Sequence, residues 1–141
     1  MTPEELIEAE EGFVPHAYQD NTPERYWTIG IGTLIDKRKG GGITLDEARY
    51  LMRNRLQLIY AGLDEKLPWW RSMNEARRAV IVGMVYQMGL VGVLRFWRTL
   101  EAMAAGDYTA AAQGMRASLW YRQTPHRASR AADAMQTGTW K

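Results

Sequence analysis

The sequence predicts an α+β domain, mostly α-helical, in which a small N-terminal lobe is joined by a long helix to a larger helical lobe. Residues 17–20 and 26–32 switch to strand-like alternation around a turn, which is typical of a short antiparallel sheet. Apolar side chains then recur at helical spacing from residue 44 towards Pro68, and further helical runs follow. We expect a cleft between the lobes, because ligand sites favour such interfaces.

The first helix is predicted to begin at a capping box and to end at a glycine. Thr2 can cap the helix, Pro3 fits its first position, and Glu5 completes the box. Gly12 is a natural stop. Glu11 is therefore expected in the last turn, where the chain leaves the helix.

Two strands are predicted next, at residues 17–20 and 26–32, the second being rich in β-branched and aromatic side chains. Residues 20–23 read Asp-Asn-Thr-Pro, which is turn chemistry. A flexible basic loop is expected at residues 37–42, where glycines follow basic side chains.

The remaining chain is predicted to be helical. Thr44 and Glu47 form a second capping box that opens the long helix, and Pro68 ends its pattern. Further helices are expected at residues 74–88, 93–104, 108–116 and 125–135. We predict a single domain over residues 1–141, with an N-terminal helix at 1–11 and lobes at roughly 12–60 and 61–141.

Composition excludes several classes of protein. The 141 residues are 46% hydrophobic and 24% charged, which are ordinary values for a globular domain and not for a disordered chain. The absence of cysteine excludes disulfides, a thiol nucleophile and Cys-based metal sites. His16 and His126 are the only histidines and lie far apart in the sequence, so we expect no metal and no cofactor.

The net charge of +2 is unevenly distributed. Residues 1–70 contain 8 basic and 12 acidic side chains, whereas residues 71–141 contain 10 basic and 4 acidic ones. The basic second half suits a polyanion, and charge alone does not choose between nucleic acid and an anionic cell-wall polymer. Because no recognised nucleic-acid motif is present, we expect no nucleic-acid partner.

No export signal is visible at the N-terminus, which is acidic and lacks an apolar segment. The least polar stretch, Ala79–Leu94, falls short of the ~20 apolar residues that a membrane-spanning helix needs, and we interpret it as protein interior. We therefore expect no transmembrane segment and no stable membrane association.

Two carboxylates and a hydroxyl near the predicted sheet are the candidate catalytic groups. Glu11 closes a helix and Asp20 ends a strand, so they can face each other across a gap without being paired. Glycoside hydrolysis needs a protonated acid for the leaving oxygen and an ionised carboxylate for the water or the sugar cation. Thr28, on the next strand, can help to hold a water beside Asp20. Most carboxylates are merely exposed, and strand propensity alone accounts for a threonine, so the residues by themselves favour the plainer interpretation.

Motifs along nearly the whole chain carry a family resemblance. They are Glu11-Gly12, Tyr18-x-Asp20, Tyr26-x-Thr28-Ile29-Gly30-Ile31-Gly32, Gly42-Ile43-Thr44-x-Asp46-Glu47-Ala48, Arg77-Arg78-Ala79, Gln87-Met88-Gly89-x-x-Gly92-Val93, Trp120-Tyr121-x-Gln123-Thr124-Pro125-x-Arg127-Ala128 and Thr137-Gly138-Thr139-Trp140. With these motifs in order, the chain resembles the T-even-type bacteriophage lysozymes, glycoside hydrolase family 24. The resemblance implies a lysozyme-like fold and a muramidase that cuts the β-1,4 bond between N-acetylmuramic acid and N-acetylglucosamine in peptidoglycan.

The resemblance also implies roles for particular residues. Glu11 is the general acid, and Asp20 and Thr28 position and activate the attacking water. Arg127 matches a basic residue that neighbours the catalytic glutamate. The positions that contact saccharide, or lie near it in the cleft, are Leu34, Tyr86, Gln87 and Thr99. A hydroxyl beside the carboxylate has an obvious use only if water is the nucleophile, so we predict an inverting mechanism.

Several positions depart from the family pattern. Thr33 stands where the family usually has histidine, and Gly114 where it has a saccharide-contacting asparagine. Tyr86 replaces phenylalanine and Thr99 replaces serine. The segment between Leu34 and Ile43 is also shorter. These departures bear on subsites and pH optimum, since the three catalytic candidates are all present.

We expect a monomeric endolysin that accumulates in the cytoplasm of the infected bacterium and acts on peptidoglycan in the periplasm to lyse the host. A holin is the candidate for its release. An alternative on the same fold is a lytic transglycosylase, which needs the acid but no water-activating aspartate. A virion-associated lysozyme and a non-catalytic wall-binding module are further alternatives.

Overall fold

The computed structural model describes residues 1–35 and 41–141. The chain divides into two compact units, Met1–Leu51 and Met52–Lys141, each described by itself below. The structure is 67% helical, and its described residues form seven α-helices and a three-stranded antiparallel sheet. The predicted class, α+β and mostly α, is confirmed. The predicted basic loop lies mostly outside the described residues.

The N-terminal helix, α1, spans Pro3–Glu11 and has the predicted ends. Its capping box is complete, because Thr2 N–H donates to Glu5 Oε2 at 2.8 Å and Glu5 N–H donates to Thr2 Oγ1 at 3.1 Å. Gly12 ends the helix with a φ of +69° and donates its N–H to the Glu8 carbonyl. Glu11 is thereby the last helical residue.

The sheet contains three antiparallel strands in the order β1-β2-β3, with β1 at Val14–Gln19, β2 at Trp27–Gly30 and β3 at Thr33–Leu34. The prediction was wrong in its bounds, since β1 begins earlier, β2 stops at Gly30, and β3 was not expected. An irregularity in the β1–β2 pairing between Val14 and Tyr18 disturbs the alternation on which the prediction relied. A two-residue strand is too short to show a period.

The long helix, α2, spans Leu45–Lys66 and begins at the predicted second capping box. Thr44 N–H donates to Glu47 Oε1 at 2.8 Å, and Glu47 N–H donates to Thr44 Oγ1 at 3.1 Å. Pro68 opens a short 3₁₀ helix, Pro68–Ser72, so the predicted break is confirmed.

The second unit continues with five helices, namely α3 (Glu75–Leu94), α4 (Trp97–Ala104), α5 (Tyr108–Arg116), α6 (Leu119–Gln123) and α7 (Pro125–Thr137). Gly89 leaves helical geometry with a φ of +82°, as predicted, but the helix resumes to Leu94. The helix expected from residue 93 therefore starts only at Trp97. The five-residue α6 was not predicted, because one turn and a half shows no periodicity.

The core of the second unit is built from apolar side chains of α2 to α7. Five of the eight methionines are buried there, where flexible side chains fill irregular space between helices; they are Met73, Met84, Met103, Met115 and Met135. Arg77 fastens α3 to the end of α7, donating to the carbonyls of Met135 at 2.8 Å and Gln136 at 3.1 Å. Its guanidinium also lies 3.6 Å from the centroid of the Tyr108 ring.

One helix among the described residues, α3, is long and apolar enough to cross a membrane by length and composition alone. The helix has 20 residues because it begins at Glu75, four residues before the apolar stretch itself, and the added residues include three charged side chains. This is weak evidence for a membrane span, since core helices pass the same test. Five of its side chains belong to the core, namely Val80, Ile81, Met84, Val85 and Val93.

Candidate active site

Asp20 follows directly after β1, and the turn that it opens holds its carboxylate. Asp20 Oδ1 accepts three hydrogen bonds, from Thr22 Oγ1 at 2.6 Å, Thr22 N–H at 3.1 Å and Tyr26 N–H at 3.0 Å. The Asp20 N–H in turn donates to the Tyr26 carbonyl at 2.8 Å. One oxygen is thus saturated, and Oδ2 takes none of these three bonds.

The same hydrogen bonds keep Asp20 ionised. The Thr22 hydroxyl is the largest influence and lowers the pKa of the Asp20 carboxyl below its ordinary value of 3.8. Partial removal from water opposes this shift, and the two backbone N–H groups reinforce it. The lowered pKa keeps the Asp20 carboxyl ionised at neutral pH, so the group carries the negative charge that its predicted role requires.

Thr28 lies in β2 opposite Tyr18 of β1, and its side chain is buried with 3% exposure. Its Oγ1 donates to the Tyr26 carbonyl at 3.3 Å. Tyr26 therefore links the two predicted residues, since its carbonyl accepts from Thr28 and its N–H donates to Asp20. The hydroxyl proton is engaged, and the oxygen lone pairs of Thr28 are left as acceptors.

Glu11 stands at the end of α1 with its carboxyl against the turn between β2 and β3. A Cβ built on Gly32 would lie 2.6 Å from Glu11 Oε2, so the two residues are in close contact. Leu34 in β3 pairs with Thr28. The structure thus places Glu11, Asp20, Thr28 and Leu34 in the first unit.

The other predicted site residues belong to the second unit. Tyr86 and Arg127 both line a cavity of ≈ 670 Å³, and Arg127 Nη2 lies 3.4 Å from the Gly83 carbonyl to which it donates. Gln87 Oε1 accepts from Trp120 Nε1 at 2.9 Å. The predicted approach of Arg127 to Glu11 and the predicted saccharide contacts of the second unit stay predictions.

Thr99 and Gly114, two positions that depart from the family pattern, are in contact with each other. A Cβ on Gly114 would overlap Thr99 Oγ1. Thr99 is larger than the serine of the family, and Gly114 is smaller than the asparagine. The two departures therefore lie at neighbouring positions, and the Thr99 hydroxyl occupies the space that a larger side chain at residue 114 would need.

Thr22 is a functional candidate that the sequence reasoning missed. The residue was recognised only as turn chemistry, although Asp-x-Thr is a pattern in which the threonine hydroxyl and N–H can both reach the aspartate. The spacing of Asp20 and Thr22 was the signal that the sequence offered.

Replacing Thr22 by valine is expected to move the acidic limb of the activity profile to higher pH. The Thr22 hydroxyl lowers the pKa of Asp20, so its loss lets that pKa rise towards the ordinary value, and activity is lost at a higher pH as the medium is acidified. Initial hydrolysis rates measured from about pH 3 to pH 7 test this. Thr22→Ser, which keeps the hydroxyl, should leave the limb in place. An unchanged limb in Thr22→Val would contradict the role of the hydroxyl.

The fold is mostly helical, a hydrogen-bonded aspartate follows the first strand of its short sheet, and a glutamate ends the preceding helix, which together fit a lysozyme-like cell-wall hydrolase. The chain belongs to the phage lysozyme family, whose family model matches residues 8–130.

Comparison with curated relatives agrees. The chain is 33% identical to the pre-baseplate central spike protein Gp5 of Enterobacteria phage T4, over 98% of this chain and 28% of that protein. It is 27% identical to the probable T4-type lysozyme 1 of Dictyostelium discoideum, over 96% of this chain and 94% of the relative. The probable T4-type lysozyme 2 of that organism is 24% identical over 97% of this chain and 95% of the relative. The chain thus spans about a quarter of the spike protein and nearly all of each lysozyme.

Proposed function

We propose that the protein is a muramidase that hydrolyses the β-1,4 bond between N-acetylmuramic acid and N-acetylglucosamine in peptidoglycan. The observation that carries the proposal is the Asp20 carboxylate, which is kept ionised by Thr22 and Tyr26 in the same unit as Glu11. Two carboxyl groups presented from different elements, one of them held charged, are the minimum that hydrolysis of a glycosidic bond requires.

In the proposed reaction Glu11 donates one proton and Asp20 accepts one. Glu11 donates its proton to the glycosidic oxygen as the bond from the anomeric carbon to that oxygen breaks. A water attacks the anomeric carbon from the opposite side and transfers a proton to Asp20 Oδ2, the oxygen outside the three hydrogen bonds of the turn. The lone pairs of Thr28 Oγ1 can accept the other hydrogen of that water and orient it.

Digestion of purified peptidoglycan tests the reaction class. Hydrolysis yields fragments with free reducing ends, each one water heavier than the 1,6-anhydro products of a lytic transglycosylase. Mass spectrometry separates the two outcomes. An ionised aspartate that shares Tyr26 as a hydrogen-bond partner with the Thr28 hydroxyl favours hydrolysis, because the transglycosylase reaction uses no attacking water. Anhydro products would overturn the proposal.

The mechanism is proposed to be inverting, with the α-anomer released first from a β-linked glycan. Water then occupies the space between Asp20 and the sugar, as in inverting enzymes, whose carboxyl groups stand ~6.5–9.5 Å apart. Proton NMR of the new reducing end, recorded before mutarotation, decides the matter. Initial appearance of the β-anomer would make Asp20 a nucleophile or an electrostatic stabiliser and remove the role of Thr28.

For the biological role we propose an endolysin that leaves the host cytoplasm with the help of a holin and lyses the cell from the periplasm. A virion-associated role is the second candidate, because a curated relative with 33% identity is a phage spike protein. Quantitative mass spectrometry of purified virions separates the two. Stoichiometric presence in the particle would support the virion role, and absence from particles of a phage that lyses normally would support the endolysin.

A further inference from the structure

The turn between β2 and β3 passes directly against the Glu11 side chain at Gly32. A Cβ on Gly32 would lie 2.6 Å from Glu11 Oε2, 2.8 Å from its Cδ and 3.1 Å from its Cγ. The first two separations are shorter than carbon approaches oxygen or carbon without a bond, so one group has to move. Only glycine leaves the volume that this carboxyl group fills.

Gly32 also has a positive φ of +69°, which by itself favours glycine. Gly30, two residues earlier in the same hairpin, has nearly the same φ, +72°, but a Cβ there would meet nothing within 4 Å. Both glycines permit the backbone to turn. Gly32 alone makes room for the carboxyl of Glu11.

We propose that Gly32 is a positioning residue for the general acid, because its bare backbone fixes where the Glu11 carboxyl stands. The inference rests on the proposed role of Glu11. A general acid has to reach within ~2.6–3.2 Å of the oxygen that it protonates, so a displaced carboxyl cannot donate its proton.

Because of this contact, we expect a substitution of Gly32 to reduce activity far more than it reduces stability. Glu11 is exposed, and the atoms that meet the added Cβ are the far end of a flexible side chain. The carboxyl can therefore swing away without unfolding the protein, at a cost of about 2–4 °C in Tm. The same movement takes the acid from the reacting bond, and a misplacement of about 1 Å can cost ~10²-fold in rate.

Gly32→Ala and Gly30→Ala form a matched pair, since both substitutions force an L-residue into the same positive-φ region. With soluble glycan chains as substrate, we expect Gly32→Ala to lower kcat by about 100-fold with KM within about 3-fold of the wild type. Gly30→Ala should lose less than about 5-fold in kcat and lower Tm slightly less than Gly32→Ala does. Equal losses of kcat in the two variants would overturn the proposal.

Two double variants show whether Gly32 acts through Glu11. In a Glu11→Gln background, Gly32→Ala should cause no further loss of the residual activity, whereas a role of Gly32 unrelated to the acid would cost the same factor again. In a Glu11→Ala background, where no carboxyl meets the new Cβ, Gly32→Ala should lower Tm less than it does alone.

The thermal cycle needs no activity, so it is read separately from the proposed function. High activity in Glu11→Gln would overturn the role of Glu11 as acid and leave the contact to be judged by Tm. A double variant Glu11→Ala/Gly32→Ala that is as destabilised as the sum of both single changes would overturn the contact itself. Should Gly32→Ala alone be unfolded, a folded double variant would support it.

Discussion

Glu11→Gln is expected to reduce the rate of peptidoglycan hydrolysis by at least about 100-fold, since general acid catalysis contributes typically 10²–10⁴-fold. Glutamine keeps the size of the side chain but has no proton to give to the leaving oxygen. Loss of turbidity of permeabilised Gram-negative cells and release of reducing ends from purified peptidoglycan both measure the effect. Hydrolysis at a third of the wild-type rate or faster would remove Glu11 as the acid.

Glu10→Gln is the matched control for this variant. Glu10 precedes Glu11 in the last turn of α1, is also exposed, and has no predicted role. Both substitutions remove a negative charge from the carboxyl end of a helix, where the helix dipole disfavours anions, so both should leave Tm unchanged or slightly raised. Only one of them should abolish lysis.

The C-terminal end of α1 carries charges that are unfavourable for the helix itself. The last turn of α1 carries no basic residue and ends in two glutamates, against the preference of a helix terminus. A residue that breaks a local rule without local compensation is a candidate for function. The sequence contained this signal in the last turn of the helix, and Gly12, which ends the helix, distinguishes Glu11 as the residue where the chain leaves it.

Helix ends and turns, which depend on residues close together in the sequence, were the parts of the fold that could be predicted. The capping boxes at Thr2 and Thr44 involve residues only three positions apart, and both are present in the structure. The break at Pro68 follows from a missing N–H. The turn after β1 was predicted for the same reason, since aspartate and threonine can bond to backbone groups close by in the sequence.

Features that depend on pairing between distant segments could not be predicted. The two residues of β3 form a strand only because Thr28 and Ile29 pair with them. The closeness of Gly32 to Glu11 joins positions twenty-one apart, and no period or propensity encodes it. The contact between Thr99 and Gly114 likewise arises only because α4 packs against α5.

Asp20→Asn is expected to lower kcat by about 10²–10⁴-fold, the range of general base catalysis. The charge of the carboxylate is what accepts a proton from water, and asparagine does not supply it. The amide oxygen can still accept the three hydrogen bonds from Thr22 and Tyr26, so the turn should survive. Circular dichroism and thermal unfolding, measured beside the initial rate of reducing-end release, check both halves of the expectation.

Glu24→Gln removes one negative charge from the same loop and is the control for Asp20→Asn, since Glu24 is exposed and has no predicted role. It should retain nearly full activity, which separates the loss of a proton acceptor from a change of local charge. The product formed by residual Asp20→Asn activity is equally informative. Continued release of hydrolysed, α-configured ends at a much lower rate fits a base that activates water. A wild-type rate in this variant would show that water reaches the sugar without Asp20, and the proposed mechanism would then need another base.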